Sequence, residues 1–244
     1  MPTITLKNLS YSYKGEKGSF VPAINNLNVT FPNGKISVIL GSSGSGKTTL
    51  LRLLCGFDFN YGGEMLFSNV DVKGIPPKDR NLSYVSQNFS MYPHLTLFDS
   101  IAYPLKLSLA DKEEIKNRVF EISKKLGIFP LLSRKPKQVS LGELQRACIA
   151  RGIVKRPEIA LFDEPLSNLD QKNRDLIRHL LKNVLHELDS TVIYVTHSLK
   201  EATSLGDNIF IMEEGKIEYS CTPKEASRLT DSILKPYFDK TNYD

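Results

Sequence analysis

The chain has 244 residues, of which 41% are hydrophobic and 24% are charged, and its formal net charge is +5. That length allows one large domain or two small ones with a proper core, and the charge is too mild to indicate a nucleic-acid partner. We find no apolar run long enough to span a membrane and no start typical of a secretory signal. Cys55, Cys148 and Cys221 lack metal-ligand or pairing spacing, so we expect buried thiols in a reducing compartment.

The first predicted strands form an antiparallel unit. TITLKNL (3–9) alternates apolar and polar residues as a half-buried strand does, and NLNVTF (26–31) is a second candidate. The dipeptide Asn33-Gly34 then gives a turn signal. We therefore predict a small antiparallel piece ahead of the main sheet.

Four later runs are short and almost continuously apolar, which is typical of strands buried on both faces of a parallel sheet. They are ISVIL (36–40), LSYV (82–85), IALF (159–162) and TVIYV (191–195). Apolar residues at helical spacing lie between them, at 115, 119, 122 and 126 and again at 177, 180, 181, 184 and 188. Alternating strands and helices predict an α/β fold. The stretch at about 88–153 breaks the alternation; we interpret it as an inserted, mostly helical subdomain punctuated by Pro93, Pro104, Pro130 and Pro136.

Each of the four runs ends in polar residues, and ligands of parallel α/β sheets lie at the carboxyl ends of the strands. The first run leads into GSSGSGKT, which matches G-x-x-x-x-G-K-[ST] between a strand and a helix. Its glycines let backbone N–H groups converge on phosphate oxygens, and the helix start adds a positive dipole end. The strand before and the helix after disfavour an accidental glycine-rich turn. The predicted nucleotide-binding residues here are Gly41, Ser42, Ser43, Gly44, Ser45, Gly46, Lys47, Thr48 and Thr49.

Lys47 would bring a charge to the β and γ phosphates, and Thr48 a hydroxyl ligand for Mg²⁺. After the third run, Asp163 would hold Mg²⁺ and Glu164 would polarise the attacking water. A solvated acidic pair at a strand end is the alternative interpretation. Gln87 can ligate Mg²⁺ and orient water, and His197 can hydrogen-bond the γ-phosphate. His197 taken alone would more often be an ordinary strand-end histidine.

Together these motifs resemble the nucleotide-binding subunit of an ATP-binding cassette (ABC) transporter, with seven elements in family order across nearly the whole chain. The elements are Tyr13 in YSYKG, the phosphate loop, Gln87 in YVSQ, VSLGE at the signature position, IALFDEP, the D-loop SNLD from Ser167 to Asp170, and His197 in VTHS. The resemblance implies that Tyr13 stacks on adenine. Tyr11, two residues away, and a buried strand tyrosine are the competing explanations for this position.

The resemblance also implies the fold: an α/β, P-loop NTPase (RecA-like) core at about 1–87 and 154–244, with an N-terminal antiparallel β subdomain and an inserted helical subdomain at about 88–153. Glu164, His197 and Gln87 would be the catalytic residues. ATP and Mg²⁺ would be bound, with Thr48, Gln87 and Asp163 as the metal ligands. Ser167 and Asp170 would belong to the D-loop.

The signature departs from the family pattern L-S-G-G-Q. The chain keeps Ser140 and Gly142 and departs at Val139, Leu141 and Glu143. In the family this segment reaches the γ-phosphate bound to the other subunit, so Ser140, Leu141, Gly142 and Glu143 are the predicted contacts to the partner's ATP. We interpret the segment as a working variant. The alternative is a weakened site whose partner chain carries the better signature.

The resemblance implies several partners: a second ATPase subunit, identical or related, transmembrane permease subunits that contact MYPHLTLFDS, and a solute-binding protein, with no nucleic acid. The expected location is cytoplasmic, peripheral on the inner face of the cell membrane. We expect an importer, because no membrane segment is fused, because YPHLTLFDSIAYPL resembles importer ATPases, and because SRKPKQ is unlike the acidic exporter motif. The chain ends near Asp244 without the regulatory domain of the maltose type, which resembles the nitrate, sulfonate, taurine or vitamin-precursor uptake class.

Four alternatives to this function remain. An exporter ATPase subunit would use the same site. A soluble ABC-type ATPase acting on ribosomes or DNA usually has two cassettes or a long coiled coil, and this chain shows one cassette without sustained heptads. A P-loop kinase would leave the signature, the D-loop and His197 unexplained. An ABC subunit that binds ATP without hydrolysing it is disfavoured by Glu164 and His197.

Overall fold

The structure is a computed structural model that describes residues 1–88, 91–108, 111–167, 169–226 and 228, and it describes no side chains at 17 and 172. Residue 168 of the predicted D-loop lies outside these ranges. The last part of the predicted core segment at 154–244 also lies outside them, since only residue 228 is described beyond 226. The described part of the chain has no helix with both the length and the apolar character that a membrane crossing requires.

Ten strands and seven helices are described, with short 3₁₀ turns between some of them. The strands are β1 (Ile4–Lys14), β2 (Phe20–Phe31), β3 (Ile36–Leu40), β4 (Gly62–Phe67), β5 (Val70–Asp71), β6 (Leu82–Val85), β7 (Ile159–Asp163), β8 (Thr191–Thr196), β9 (Asn208–Glu213) and β10 (Lys216–Cys221). The helices are α1 (Lys47–Cys55), α2 (Leu97–Leu107), α3 (Lys112–Lys125), α4 (Leu141–Ile153), α5 (Gln171–His186), α6 (Leu199–Leu205) and α7 (Pro223–Ala226).

The main sheet has the order β10-β9-β3-β8-β7-β6, and only β10 is antiparallel to its neighbour. The four predicted runs are β3, β6, β7 and β8, so the prediction of parallel strands is confirmed. The predicted burial on both faces is wrong for β6, which is the last strand of the sheet and is only partly buried. β3 lies between β8 and β9, with Ile36 opposite Val192 and Ser37 opposite Asn208. The sheet therefore brings the carboxyl ends of all four runs to one edge, as expected for an α/β site.

A second, antiparallel sheet has the order β2-β1-β4-β5, with Ile4 of β1 opposite both Phe31 and Phe67. The predicted strands near the start are confirmed as β1 and β2. β4 and β5, which follow α1 and were not predicted, complete this sheet. Gly34 has a φ of 62° in the predicted turn before β3.

The two faces of the main sheet pack against different layers because side chains alternate along a strand. Ile39, Leu161 and Ile193 face α1 and the antiparallel sheet. Val38, Phe162 and Tyr194 face the helices α2 to α6. This layered α/β arrangement confirms the predicted fold class, and it holds the strand ends rigidly between two cores.

The predicted helices of the middle stretch are present as α2, α3 and α4, while the division into a core and an inserted subdomain stays a prediction. Thr96, Asp111 and Ser140 begin these helices as side-chain caps. Pro104 does not interrupt the chain as expected but lies inside α2. A proline there removes one backbone donor and its ring crowds the carbonyl group four residues earlier. The buried Ile101 and Leu105 offset that cost because they pack this turn into the core.

All three cysteines are free and buried, as predicted. Burial raises the pKa of the Cys55 thiol to about 12 and that of the Cys148 thiol to about 11. Both groups therefore stay as neutral thiols in the core.

Candidate functional site

The phosphate loop curls between β3 and α1, and its shape requires glycine at two positions. A Cβ on Gly41 would lie 2.5 Å from the Met212 carbonyl oxygen. Gly46 has a φ of 103°, and a Cβ there would lie 2.5 Å from the Ala23 carbonyl oxygen. The loop is therefore pressed against β2 and β9, with Ser42, Ser43 and Gly44 exposed at its tip.

Lys47 is the first residue of α1 and is buried beneath the loop. Its Nζ donates to the carbonyl oxygens of Gly41 at 2.9 Å and Ser42 at 2.7 Å, and it lies 3.8 Å from Glu164 Oε1. Burial lowers the pKa of Lys47, and the charges of Glu164 and Asp163 oppose that shift. The ammonium is thus fixed where it can pair with phosphate oxygens.

Asp163 closes β7 and is almost fully buried. Its carboxylate accepts hydrogen bonds from Thr48 Oγ1 at 3.0 Å and from the Tyr84 hydroxyl at 2.8 Å. Burial raises the pKa of Asp163, whereas these two hydrogen bonds lower it. Tyr84, on β6, orients this carboxylate and was not foreseen, because inside LSYV it looked like an ordinary strand residue.

The residues predicted to hold a metal offer only oxygen donors that suit Mg²⁺. Thr48 and Asp163 are in direct contact, and Gln87 follows β6, the strand beside β7. One carboxylate with neutral oxygens is the donor set with which proteins hold a nucleotide-borne Mg²⁺. No group of three or more His, Cys, Asp or Glu residues suited to a resident metal occurs within the described residues. The donor set therefore fits a metal that arrives with phosphates.

Glu164 follows β7 in the left-handed conformation, with a φ of 45°, which is uncommon for a residue other than glycine. Its N–H donates to the Val195 carbonyl oxygen at 3.0 Å, which fixes this turn to β8. The carboxylate accepts from His197 Nδ1 at 3.0 Å and faces Lys47 on its other side. The hydrogen bond from His197 lowers the pKa of Glu164 and raises the pKa of His197. The structure thus brings together a carboxylate, an ammonium group and an imidazole.

We predict that the pair of Glu164 and His197 gives the nucleotide-free protein a pH-dependent stability. The pKa of His197 is raised above 6.5 in the folded chain. The pair therefore contributes its full free energy to folding below about pH 6.5, and this stabilisation is lost as the pH rises through the folded pKa. The advantage of the wild type over His197→Ala should shrink as the pH rises above about 6.5. It should stay below about 1 kcal/mol, because the imidazole is half exposed.

Chemical unfolding at several pH values without nucleotide measures this difference. His179→Ala, at an exposed histidine of α5, is the matched control and should keep a constant offset from the wild type. An advantage over His197→Ala that grows with rising pH would contradict the pairing.

Gln87 and the predicted D-loop meet beside Glu164. Gln87 Nε2 donates to Ser167 Oγ at 3.4 Å, and Ser167 Oγ donates to the Glu164 carbonyl oxygen at 3.0 Å. Asp170 begins α5 as its cap and accepts from the Asn173 N–H at 3.0 Å. These two hydrogen bonds, from Gln87 to Ser167 and from Ser167 to Glu164, connect three of the predicted site residues.

Tyr13 lies beside the phosphate loop, because its hydroxyl is 3.0 Å from Thr49 Oγ1. Its ring is 38% exposed and meets the Tyr11 ring edge-on at 5.0 Å. Tyr11 instead packs against the core between α1 and the antiparallel sheet. An exposed ring is available for stacking, so the geometry favours Tyr13 over Tyr11 for the predicted adenine contact.

The signature residues form the first turn of α4. Ser140 caps the helix, and Glu143 reaches back: its Oε2 accepts from the Ser140 N–H at 2.7 Å and from the Ser140 hydroxyl at 2.9 Å. This is a capping box. Gly142 packs on α5, where a Cβ would meet Ile177 and Asn173 at ordinary contact distances, and Leu141 is half exposed. The spacing S-x-x-E at 140–143 is the sequence signal for this box, which was not predicted.

Two buried ionisable residues, Glu201 and Arg80, were also not predicted. Glu201, on α6, accepts from the hydroxyls of Tyr194 at 2.9 Å and Thr196 at 2.8 Å. It thereby ties α6 to the end of β8 and fixes the turn that carries His197. Burial raises the pKa of Glu201. The spacing S-x-x-E at 198–201 marks the start of α6, but it does not predict that Glu201 is buried against β8.

Arg80 is the second of these residues and lies under the far end of α1. Its guanidinium donates to the carbonyl oxygens of Leu53, Leu54, Val72 and Ile75. These bonds satisfy the last turn of α1 and join it to the loop after β5. A charged residue within KDRN had no apolar pattern to mark it as buried.

The arrangement of phosphate loop, acidic strand end and histidine agrees with the comparison to known families. The family model described as "ABC transporter" matches residues 24–167. The chain belongs to the ABC transporter family. The match covers the phosphate loop, Gln87, the signature and Glu164, but it ends before His197.

Curated members of the ABC transporter family resemble this chain over most of its length. The sn-glycerol-3-phosphate import ATP-binding protein of Rhizobium meliloti (strain 1021) is 40% identical over 225 residues, which is 92% of this chain. The trehalose/maltose import ATP-binding protein of Thermococcus litoralis is 41% identical over 211 residues, which is 84% of this chain. The chain spans only 63% and 57% of the lengths of these two relatives. Neither name refers to nitrate, sulfonate, taurine or vitamin-precursor uptake. The assignment of this chain to that class therefore stays a prediction.

Solved ABC cassettes have the same fold. A dimeric bacterial ABC transporter cassette is 30% identical, with a TM-score of 0.80 over 90% of this chain and 98% of that one. A dimeric post-hydrolysis state of the same cassette, bound to ADP and phosphate, is 29% identical with a TM-score of 0.79 over the same shares. The described fold is therefore that of an ATP-binding cassette.

Proposed function

We propose that this ABC cassette binds and hydrolyses ATP and so energises a membrane transporter, specifically a small-solute importer. The observation that carries the proposal is the cluster of Lys47, Glu164 and His197 at the carboxyl edge of the sheet, directly beside the phosphate loop. The proposed direction of transport, import, is supported by the names of the two relatives, both of which are import ATP-binding proteins.

Each group has a part in hydrolysis that its surroundings support. The N–H groups of the loop and the Lys47 ammonium would hold the phosphates. Glu164, whose pKa is lowered by its hydrogen bond from His197, would accept a proton from the attacking water. Mg²⁺, held by Thr48, Gln87 and Asp163, would neutralise phosphate charge.

The signature and the D-loop would act on a second copy or a related chain. Ser140, Leu141, Gly142 and Glu143 head α4, where a helix N-terminus favours an anion. Ser167 and Asp170 lie between Glu164 and α5. Two chains would enclose two ATP molecules, which is supported by the dimeric state of the matching cassette.

Permease subunits and a solute-binding protein would complete the importer, and the chain would work in the cytoplasm against the inner face of the membrane. The segment MYPHLTLFDS would receive the permease. It presents Tyr92, which is partly exposed and packs against Tyr103 at a ring-centroid distance of 4.9 Å. An aromatic pair at the surface is suited to take an apolar helix from a partner.

The test is to tag the chain in its own cells, solubilise the membranes gently and identify what co-purifies. We expect a membrane-spanning protein in stoichiometric amount, and a co-purifying solute-binding protein would support import. A ribosomal or DNA-associated partner, with nothing from the membrane, would overturn the transport role and leave the ATP chemistry standing.

A further inference from the structure

The departure of the signature from its family pattern has a structural counterpart at Glu143. Ser140 offers two donors at the head of α4, its backbone N–H and its hydroxyl. Both point to the same atom, Glu143 Oε2, at 2.7 and 2.9 Å. The Glu143 N–H returns a longer bond of 3.4 Å to Ser140 Oγ. The carboxylate therefore holds the donors of the signature serine within its own chain.

These bonds are charge-assisted and stronger than neutral ones. Hydrogen bonds to an ionised acceptor are shorter and about twice as strong as those between neutral groups. The bond from the Ser140 N–H lowers the pKa of Glu143, so the side chain is an anion at neutral pH. The positive end of α4 stabilises that anion further.

A γ-phosphate needs the same donors. It is also an anionic oxygen acceptor that a serine hydroxyl, an N–H group and a helix N-terminus would bind. A phosphate approaching Ser140 must displace the carboxylate and also meets its like charge at short range. Capping does not require this charge, because the amide oxygen of a glutamine can close the same box.

We propose that Glu143 is an internal competitor for the γ-phosphate of the ATP held by the opposing chain. It thereby raises the ATP concentration at which two cassettes close. This inference rests on the proposed function, in which the signature of one chain contacts the nucleotide of the other. It assigns Glu143 as a positioning residue that sets the threshold for closure, while the nucleotide-binding loop of its own chain is untouched.

The experiment uses the Glu164→Gln chain, in which bound ATP persists. Sedimentation at fixed protein and Mg²⁺ concentrations gives the ATP concentration for half-maximal dimer. Adding Glu143→Gln should lower that concentration by about tenfold, the difference between a charged and a neutral acceptor. The affinity of the monomer for ATP, measured at low protein concentration with a fluorescent ATP analogue, should not change.

The chain offers a matched control in a second capping box. Glu225 Oε2 accepts from the Thr222 N–H at 2.8 Å and from the Thr222 hydroxyl at 2.9 Å, the same geometry at the start of α7. Glu225→Gln changes the net charge equally, so it should leave the ATP concentration for dimer formation unchanged. An equal effect of both substitutions would overturn the inference, because it would reflect net charge alone.

The remaining outcomes separate the inference from the proposed function. If the Glu164→Gln parent dimerises with ATP and Glu143→Gln leaves the half-maximal concentration unchanged or raises it, Glu143 does not compete and the ATP-enclosing dimer stands. If neither chain dimerises at any ATP concentration, both the dimer and the inference are overturned.

Discussion

Lys47→Ala is expected to weaken ATP binding by about 2–4 kcal/mol, which is a loss of roughly thirtyfold to a thousandfold in affinity. The ammonium is almost fully buried and already aligned under the loop by the carbonyl oxygens of Gly41 and Ser42. A charge that is held in place before binding loses little entropy when a phosphate arrives. Titration calorimetry of the purified chain with ATP measures the change. Unchanged affinity would contradict the phosphate-loop assignment.

The same lysine supports the loop in the absence of nucleotide. The effect of Lys47→Ala on folding stability must therefore be measured separately from its effect on ATP affinity. Removing the ammonium leaves the Gly41 and Ser42 carbonyl oxygens and the Glu164 carboxylate without this partner. Thermal unfolding without ATP reports that structural cost. Lys35→Ala is the control: Lys35 is exposed just before the other end of β3, so its removal should alter neither the melting temperature nor the affinity.

Glu164→Gln is expected to slow ATP hydrolysis by about a hundredfold to ten-thousandfold, the usual contribution of a positioned general base. The amide keeps the volume of the side chain and can still accept from His197, but it cannot take a proton from water. Because bound ATP then persists, the chain should form a stable dimer with Mg²⁺ and ATP. Phosphate release and size-exclusion chromatography measure the two effects.

The control for this substitution lies at the opposite end of the same strand. Glu158 is exposed just before β7, and Glu158→Gln should leave both hydrolysis and association as in the wild type. A Glu164→Gln chain that stays monomeric with Mg²⁺ and ATP would count against the ATP-enclosing dimer. If the Glu164→Gln chain released phosphate at the rate of the wild type, another group would be the base.

Much of the fold was predictable because its signals are local. ISVIL, IALF and TVIYV are short apolar runs buried throughout, LSYV is only partly buried, and all four are parallel strands. β9 had a similar signal in IFIM, but no motif follows it, so it was not singled out. β4 begins with two glycines and β5 has only two residues. Neither contains an alternation that marks a strand.

The site was predictable in its residue types and not in its contacts. The side chains that follow the strands were identified because parallel strands end at one edge, and the structure places them within reach of one another. The hydrogen bond from Tyr84 to Asp163 depends on the register of β6 beside β7, which no local pattern encodes. The tie from Glu201 to Tyr194 and Thr196 likewise depends on how α6 returns over β8.

The position of β3 between β8 and β9 also bears on how the protein is made on the ribosome. A nascent chain that has emerged as far as Thr48 contains the whole phosphate-loop motif but neither of the strands that flank β3. The loop itself rests on the late segment: Gly41 donates to the Thr196 carbonyl oxygen, and Gly215 donates to that of Ser45. Pairings between distant parts of a chain form late and slowly. The loop therefore acquires its shape only after β9 and the turn that follows it have been synthesised, more than 150 residues after the motif itself.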